Sequence, residues 1–151
     1  MYSDFLTFRL DLTSALLINR ANVVYRERWD LDVRALRVLR LVCAEPDITP
    51  TSVSQRALIE KTLLSKVLAE LETRGLITRN THASDRRSTA LRATAHGLEV
   101  AQASETVGTQ LEGELAKGLS ATERKTLERL LGKLSHSLLE SESASAPPTR
   151  S

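Results

Sequence analysis

The sequence has 151 residues, 41% of them hydrophobic and 3% aromatic, with six glycines, four prolines and a formal charge of +2. That apolar content excludes wholesale disorder, and the scarcity of aromatic and turn residues argues against an all-β fold. No run approaches the ~18 uninterrupted apolar residues of a membrane span. Met1-Tyr-Ser-Asp-Phe lacks the features of a secretory leader, and a single cysteine, Cys43, excludes an intrachain disulfide framework. The expected location is cytoplasmic.

From Asp4 to Arg28 there is no Pro or Gly, and Phe5, Phe8, Leu12, Ala15, Leu16 and Val23 recur at helical spacing, which predicts one long opening helix. Trp29-Asp30-Leu31 breaks it. Asp32 is placed to N-cap a second helix running to about Ala44, which Pro46 ends. Thr49-Pro50 reads as an N-cap followed by Pro at the first position of a short third helix, to about Ala57. A fourth spans roughly Lys61 to Arg74 and stops at Gly75, a residue suited to a left-handed cap. Leu76–Arg79 and Ser88–Arg92 read as two strands joined by the polar turn Asn80–Arg87. Thr94 can cap a fifth helix from Ala95 to about Lys117. Ser120-Ala-Thr-Glu123 is a capping box ahead of a sixth helix, with Leu127, Leu130, Leu131, Leu134 and Leu138 at helical spacing.

The expected fold is therefore mainly α with a small β-hairpin wing: a winged helix-turn-helix over 32–94, flanked by long helices at 1–31 and 95–140. The Ser/Ala/Pro-rich stretch 141–151 is expected to be a disordered tail.

Charge concentrates in the winged segment. Between Gln55 and Arg92 stand eight cations (Arg56, Lys61, Lys66, Arg74, Arg79, Arg86, Arg87, Arg92) against four anions (Glu60, Glu70, Glu72, Asp85), although the whole chain carries only +2. Such a concentration fits a polyanion-binding surface, and it equally fits an ordinary solvated one. Projecting residues 62–73 at 100° per residue separates the two faces of the fourth helix. Leu63, Leu64, Val67, Leu68 and Leu71 take one side; Thr62, Ser65, Lys66, Ala69 and Thr73 take the other. A short, mostly neutral, hydrogen-bonding face with one cation suits a DNA major groove, where hydroxyls and Lys66 can meet base edges or phosphates. In the turn, Arg86 and Arg87 can enter a minor groove, with Asp85 holding one of them in place.

The run Leu64-Ser-Lys-Val-Leu-Ala-Glu-Leu-Glu-Thr-Arg-Gly-Leu-Ile-Thr-Arg79, then Asp85-Arg-Arg87, then Leu91-Arg-Ala-Thr-Ala-His-Gly97, resembles the multiple-antibiotic-resistance regulator (MarR) family. The likeness extends from about Leu12 to Leu138 and departs at Ala93, where the family has Leu. The resemblance implies a homodimer joined by its first and last helices, binding double-stranded DNA at a pseudo-palindromic operator, usually as a repressor. It also implies release by a small, often aromatic, ligand. It places recognition contacts on Thr62, Ser65 and Lys66 and wing contacts on Asp85 and Arg87; Arg86 is added on chemical grounds, and Thr51, Ser52 or Gln55 of the preceding helix as supporting contacts.

Other residues carry alternatives. Cys43 projects beside Leu36 and Leu39, which fits a buried inert thiol, while some relatives of the family switch by cysteine oxidation. Arg34, Arg37 and Arg40 form a stripe that reads as a solvated face or as the wall of an anion-accepting cleft. His82, His96 and His136 lack partners at zinc-ligand spacing, so neither a metal nor a cofactor is expected. No phosphate-cradling glycine loop, nucleophile turn or metalloprotease helix is present, so the chain does not read as an enzyme. The rival functional classes are a thiol sensor built on Cys43 and a winged-helix protein-interaction module that does not bind DNA.

Overall fold

The computed structural model describes residues 4–81 and 89–145. In chain order these form α1 (Leu6–Trp29), α2 (Val33–Ala44), α3 (Pro50–Ala57), α4 (Lys61–Thr73), β1 (Ile77–Thr81), β2 (Thr89–Ala93), α5 (Ala95–Leu115) and α6 (Ala121–Ser145). The two strands pair antiparallel, with Ile77 opposite Ala93 and Thr81 opposite Thr89. The architecture is a helical protein with a hairpin wing, as the residue pattern predicts.

Local chemistry sets the boundaries. The Asp32 carboxylate accepts from the Ala35 amide at 2.8 Å, and the Thr49 hydroxyl accepts from the Ser52 amide at 3.2 Å with Pro50 behind it. Gly75, at φ +69°, stops α4. Its amide donates to Glu72 O and the Leu76 amide to Leu71 O, the pair of bonds that satisfies a helix's last carbonyls. Because Leu76 is used in that stop, β1 begins one residue later than expected. Ser120 and Glu123 exchange reciprocal hydrogen bonds at 2.8 and 3.1 Å. The sixth helix runs to Ser145, into the segment that composition assigns to a tail. There the hydroxyls of Ser141, Ser143 and Ser145 donate to carbonyls four residues back, so they do not compete for the backbone in another conformation.

Packing divides the chain into a unit that ends at Leu111 and a second that begins at Glu112. The first holds the core. Leu36, Val38, Leu39 and Val42 of α2 are fully buried with Val53 of α3, Leu68 and Leu71 of α4, Ile77 of β1 and Leu91 of β2. A two-residue extension widens the hairpin: the Asp47 amide donates to Leu91 O and the Leu91 amide to Ile48 O. Near its base Thr94 works twice, donating to Gly75 O at 2.6 Å and accepting from the Gly97 amide at 3.0 Å. Gly97 lies so close to the backbone just ahead of β1 that a Cβ there would stand 2.0 Å from Leu76 O. Only glycine lets α5 start at that spot.

The apolar residues of α1 behave differently. Tyr25 is the helix's one buried residue, while Phe5, Leu6, Leu10, Leu12, Leu16, Leu17 and Val23 stand 39–68% exposed. In the second unit α6 has no buried residue. Its Leu127, Leu130, Leu131, Leu134, Leu138 and Leu139 are 36–62% exposed. No helix among the described residues is long and apolar enough to cross a membrane.

Candidate nucleic-acid interface

Helices α3 and α4 meet through the turn Leu58–Glu60. Leu58 takes a left-handed conformation (φ +55°), its amide donates to Ser54 O, and the Ser54 hydroxyl closes the turn on Ile59 O at 2.6 Å. Val53 and Ala57 anchor α3 in the core. The faces of α4 separate as the 100° projection requires. Leu64, Val67, Leu68 and Leu71 are buried and Leu63 half-buried, while Thr62, Ser65, Lys66, Ala69 and Thr73 are exposed. Thr51 and Gln55 of α3 are likewise exposed, and Ser52 is half-buried. The Ser65 hydroxyl donates to Lys61 O at 3.0 Å, which leaves its oxygen free to accept. Asp85, Arg86, Arg87 and His82 lie outside the described residues.

The charges around this face sort into two classes that composition could not distinguish. Arg74, capping the end of α4, donates to Trp29 O at 2.9 Å and Asp30 Oδ2 at 2.8 Å, and its guanidinium stands 3.2 Å from Glu70 Oε1. Arg79 on β1 places Nε 3.0 Å from Glu72 Oε2, an ion pair rather than an aligned hydrogen bond. Arg92 on β2 grips both oxygens of Asp47 at 2.6 Å, bonds that hold its guanidinium still more firmly protonated. Arg56 pairs with Glu45. Lys61 and Lys66 form no ion pair among the described residues, and both are exposed.

Lys66 has Glu70 four residues ahead, yet Glu70 goes to Arg74. The acid-first order Glu70→Arg74 agrees better with the helix dipole than Lys66→Glu70. The consequence is electrostatic. Both acids that flank the exposed face are neutralised by arginines, and the unpaired positive charge sits in its N-terminal half. Lys61 did not figure among the expected contacts because the projection began at residue 62. The readable signal was that no acid lies three or four residues beyond it.

A cavity of about 250 Å³ opens between α2 and α5, lined by Arg40, Cys43, Ala44, Leu98, Ala101, Gln102 and Glu105. Arg40 corrects the view of the arginine stripe as a wholly solvated face. Arg34 and Arg37 are exposed, but Arg40 is half-buried. Its Nη2 donates to Ser104 O at 2.7 Å and its guanidinium carbon lies 5.8 Å from the centre of the Tyr25 ring. Gly108 leaves space for this arrangement, since a Cβ there would stand 2.6 Å from the Tyr25 hydroxyl. Cys43 is half-buried with Sγ 3.9 Å from Gly97 O, and burial pushes its thiol pKa up. His96 and His136 stand on exposed helix faces beside Glu99 and Glu140, at 3.9 and 3.2 Å.

Residues 29–88, which span α2 through β1, match the sequence model of the MarR family. The fold is similar to the reduced form of MarR from E. coli, at 26% identity over 86% of this chain and 96% of that one, with a TM-score of 0.75. It is also similar to a MarR/EmrR family transcriptional regulator from Acinetobacter sp. ADP1 (20% identity, 89% and 94% covered, TM-score 0.76). A Mycobacterium tuberculosis MarR family protein in complex with salicylic acid matches at 23% identity, 89% and 99% covered, TM-score 0.71. With a helix-turn-helix whose outward face is polar and basic and a hairpin wing behind it, the protein has the fold of the MarR-family winged-helix transcription regulators and is similar to that family over residues 29–88.

Proposed function

We propose that the protein is a homodimeric DNA-binding regulator that occludes a promoter and is released by a small aromatic anion. The observation that carries the reading is the division of α4 into a buried Leu/Val face and an exposed face of hydroxyls and lysine. On this reading Thr62, Ser65 and Lys66 meet base edges and phosphates in the major groove of a pseudo-palindromic operator. Thr51 and Gln55 support them from α3, and Asp85, Arg86 and Arg87 serve the wing. The exposed leucines of α1 and α6 supply the dimer contact, since apolar surface of that extent marks an association site.

The α2–α5 cavity supports the effector half of the proposal. It is large enough for a single substituted ring, and Arg40 is a cation in its wall. The relative crystallised with salicylic acid makes an aromatic carboxylate the first ligand to try. Two recognition helices of a dimer must sit about 34 Å apart to dock together, so a small shift on ligand binding abolishes simultaneous contact. A regulator of this kind works in the cytoplasm.

Fluorescence anisotropy on the duplex upstream of the gene tests the reading. Affinity should fall steeply between about 50 and 200 mM salt, and Lys66→Ala should weaken binding by ~1–3 kcal/mol. A flat salt response would instead support a protein-interaction module. A thiol switch is the second reading, favoured by the place of Cys43 in the cavity wall and opposed by its raised pKa. Peroxide-driven release of DNA that persists in Cys43→Ser would remove it.

A further inference from the structure

We infer that Lys61 is a phosphate anchor of the recognition surface, paired across α4 with Lys66, and that the ion-paired arginines around it act as struts. The inference rests on the DNA-binding reading above. Binding to DNA gains from each cation that replaces a condensed counterion on a phosphate. An arginine already neutralised by a carboxylate adds no net charge to the approach and must break its pair to make a full phosphate contact. Arg56, Arg79 and Arg92 are held in this way by Glu45, Glu72 and Asp47.

Lys61 differs on every count. It is exposed, forms no ion pair among the described residues, and occupies the first position of α4. Projection at 100° per residue sets it about 140° from Lys66, with Thr62 between them. The two lysines therefore flank the neutral face, and in a major groove ~12 Å wide each reaches towards a different phosphate wall. The end of the helix adds to this. Glu60 stands at the N-cap but makes no side-chain cap bond, so among the described residues no side chain caps the first-turn amides, and these favour an anion. Glu60 offsets part of the local potential without competing for those amides.

The test compares single charge removals at equal nominal charge. Lys61→Gln, Lys61→Arg and Arg56→Gln would be titrated with the duplex that wild type binds, at salt from about 50 to 200 mM. For Lys61→Gln the slope of log affinity against log salt should become shallower by about one, and Lys61→Arg should restore it. Arg56→Gln should leave the slope at the wild-type value. An unchanged slope in Lys61→Gln overturns the assignment, and so does an equal loss in Arg56→Gln. Circular dichroism melts of each variant show whether a lost slope reflects lost folding, and the arginine rescue separates charge from helix damage. A wild type with no salt dependence sinks the DNA-binding reading itself, a result distinct from either.

Discussion

The winged core and the long outer helices both carry apolar residues at helical spacing, with opposite outcomes. In α2 and α4 most of the leucines and valines at helical spacing are buried within one chain, and the arginines beside α4 find carboxylates. In α1 and α6 apolar residues also recur at helical spacing, though less cleanly sorted to one face, and a single residue of α1 and none of α6 is buried. Periodicity therefore identifies a face that must be covered without saying what covers it. The core is self-sufficient, whereas the outer helices keep about a dozen large apolar side chains exposed, the surface that the proposed homodimer would cover.

The sharpest break of the core lies at Gly97. Gly97→Ala puts a methyl group 2.0 Å from Leu76 O, and backbone cannot move aside as a side chain can. The expected loss is about 3 kcal/mol in urea or thermal unfolding, and a variant melting with wild type would show that the α5–β1 approach is looser than described. The outer helices should respond in a different observable. On the proposed homodimer, Leu134→Asp places a charge in the exposed α6 stripe, so sedimentation should show monomers where wild type sediments as a dimer, while the far-ultraviolet spectrum stays helical. A variant that remains a dimer would assign the interface elsewhere.

A smaller effect, of opposite sign, is expected at Leu58. This residue is 87% exposed and holds φ +55°, a conformation costing a side-chain-bearing residue ~1 kcal/mol or more. Leu58→Gly should raise stability by roughly that amount, less the added freedom of glycine in the unfolded chain; a lowered melting temperature would mean that the leucine makes contacts of its own. The subtlest prediction concerns pH. Since burial raises the Cys43 pKa, the folded protein keeps the thiol protonated at pH values where an unfolded chain already holds thiolate. Alkylation should therefore run slower in the folded protein than in urea at pH 8–9, and stability should decline as pH rises through that range. Equal rates would contradict the burial.

How much was legible follows from how local each determinant is. Asp32, Thr49, Gly75, Thr94 and Ser120 act within a few residues of themselves, and each performs the capping role its residue type suggests. The exposed face of α4 was equally readable, because helical phase is a property of one segment. The arginine struts were not. Arg74 meets Asp30 and Arg92 meets Asp47 across 44 and 45 residues, and nothing near either arginine in sequence announces its partner. Arg40 was half read: its place in a stripe was visible, but Ser104 and Tyr25, which draw it out of solvent, belong to other helices. The bridge from Ile48 to Leu91 escaped for the same reason, being too short to leave a periodic trace.

The elbow between α1 and α2 carries a constraint that its exposure hides. Asp30 closes α1 in a left-handed conformation, φ +51° and ψ +36°, and its carboxylate reaches Arg74 at 2.8 Å although 80% of the side chain is open to solvent. Glycine or asparagine would accept that backbone and lose the charge. Glutamate would keep the charge in a geometry it adopts poorly. Aspartate alone meets both demands, so substitution at this position should be tolerated less than at most equally exposed positions. A scan of all residues at position 30 should return a narrow profile centred on Asp, the signature ordinarily associated with a buried site.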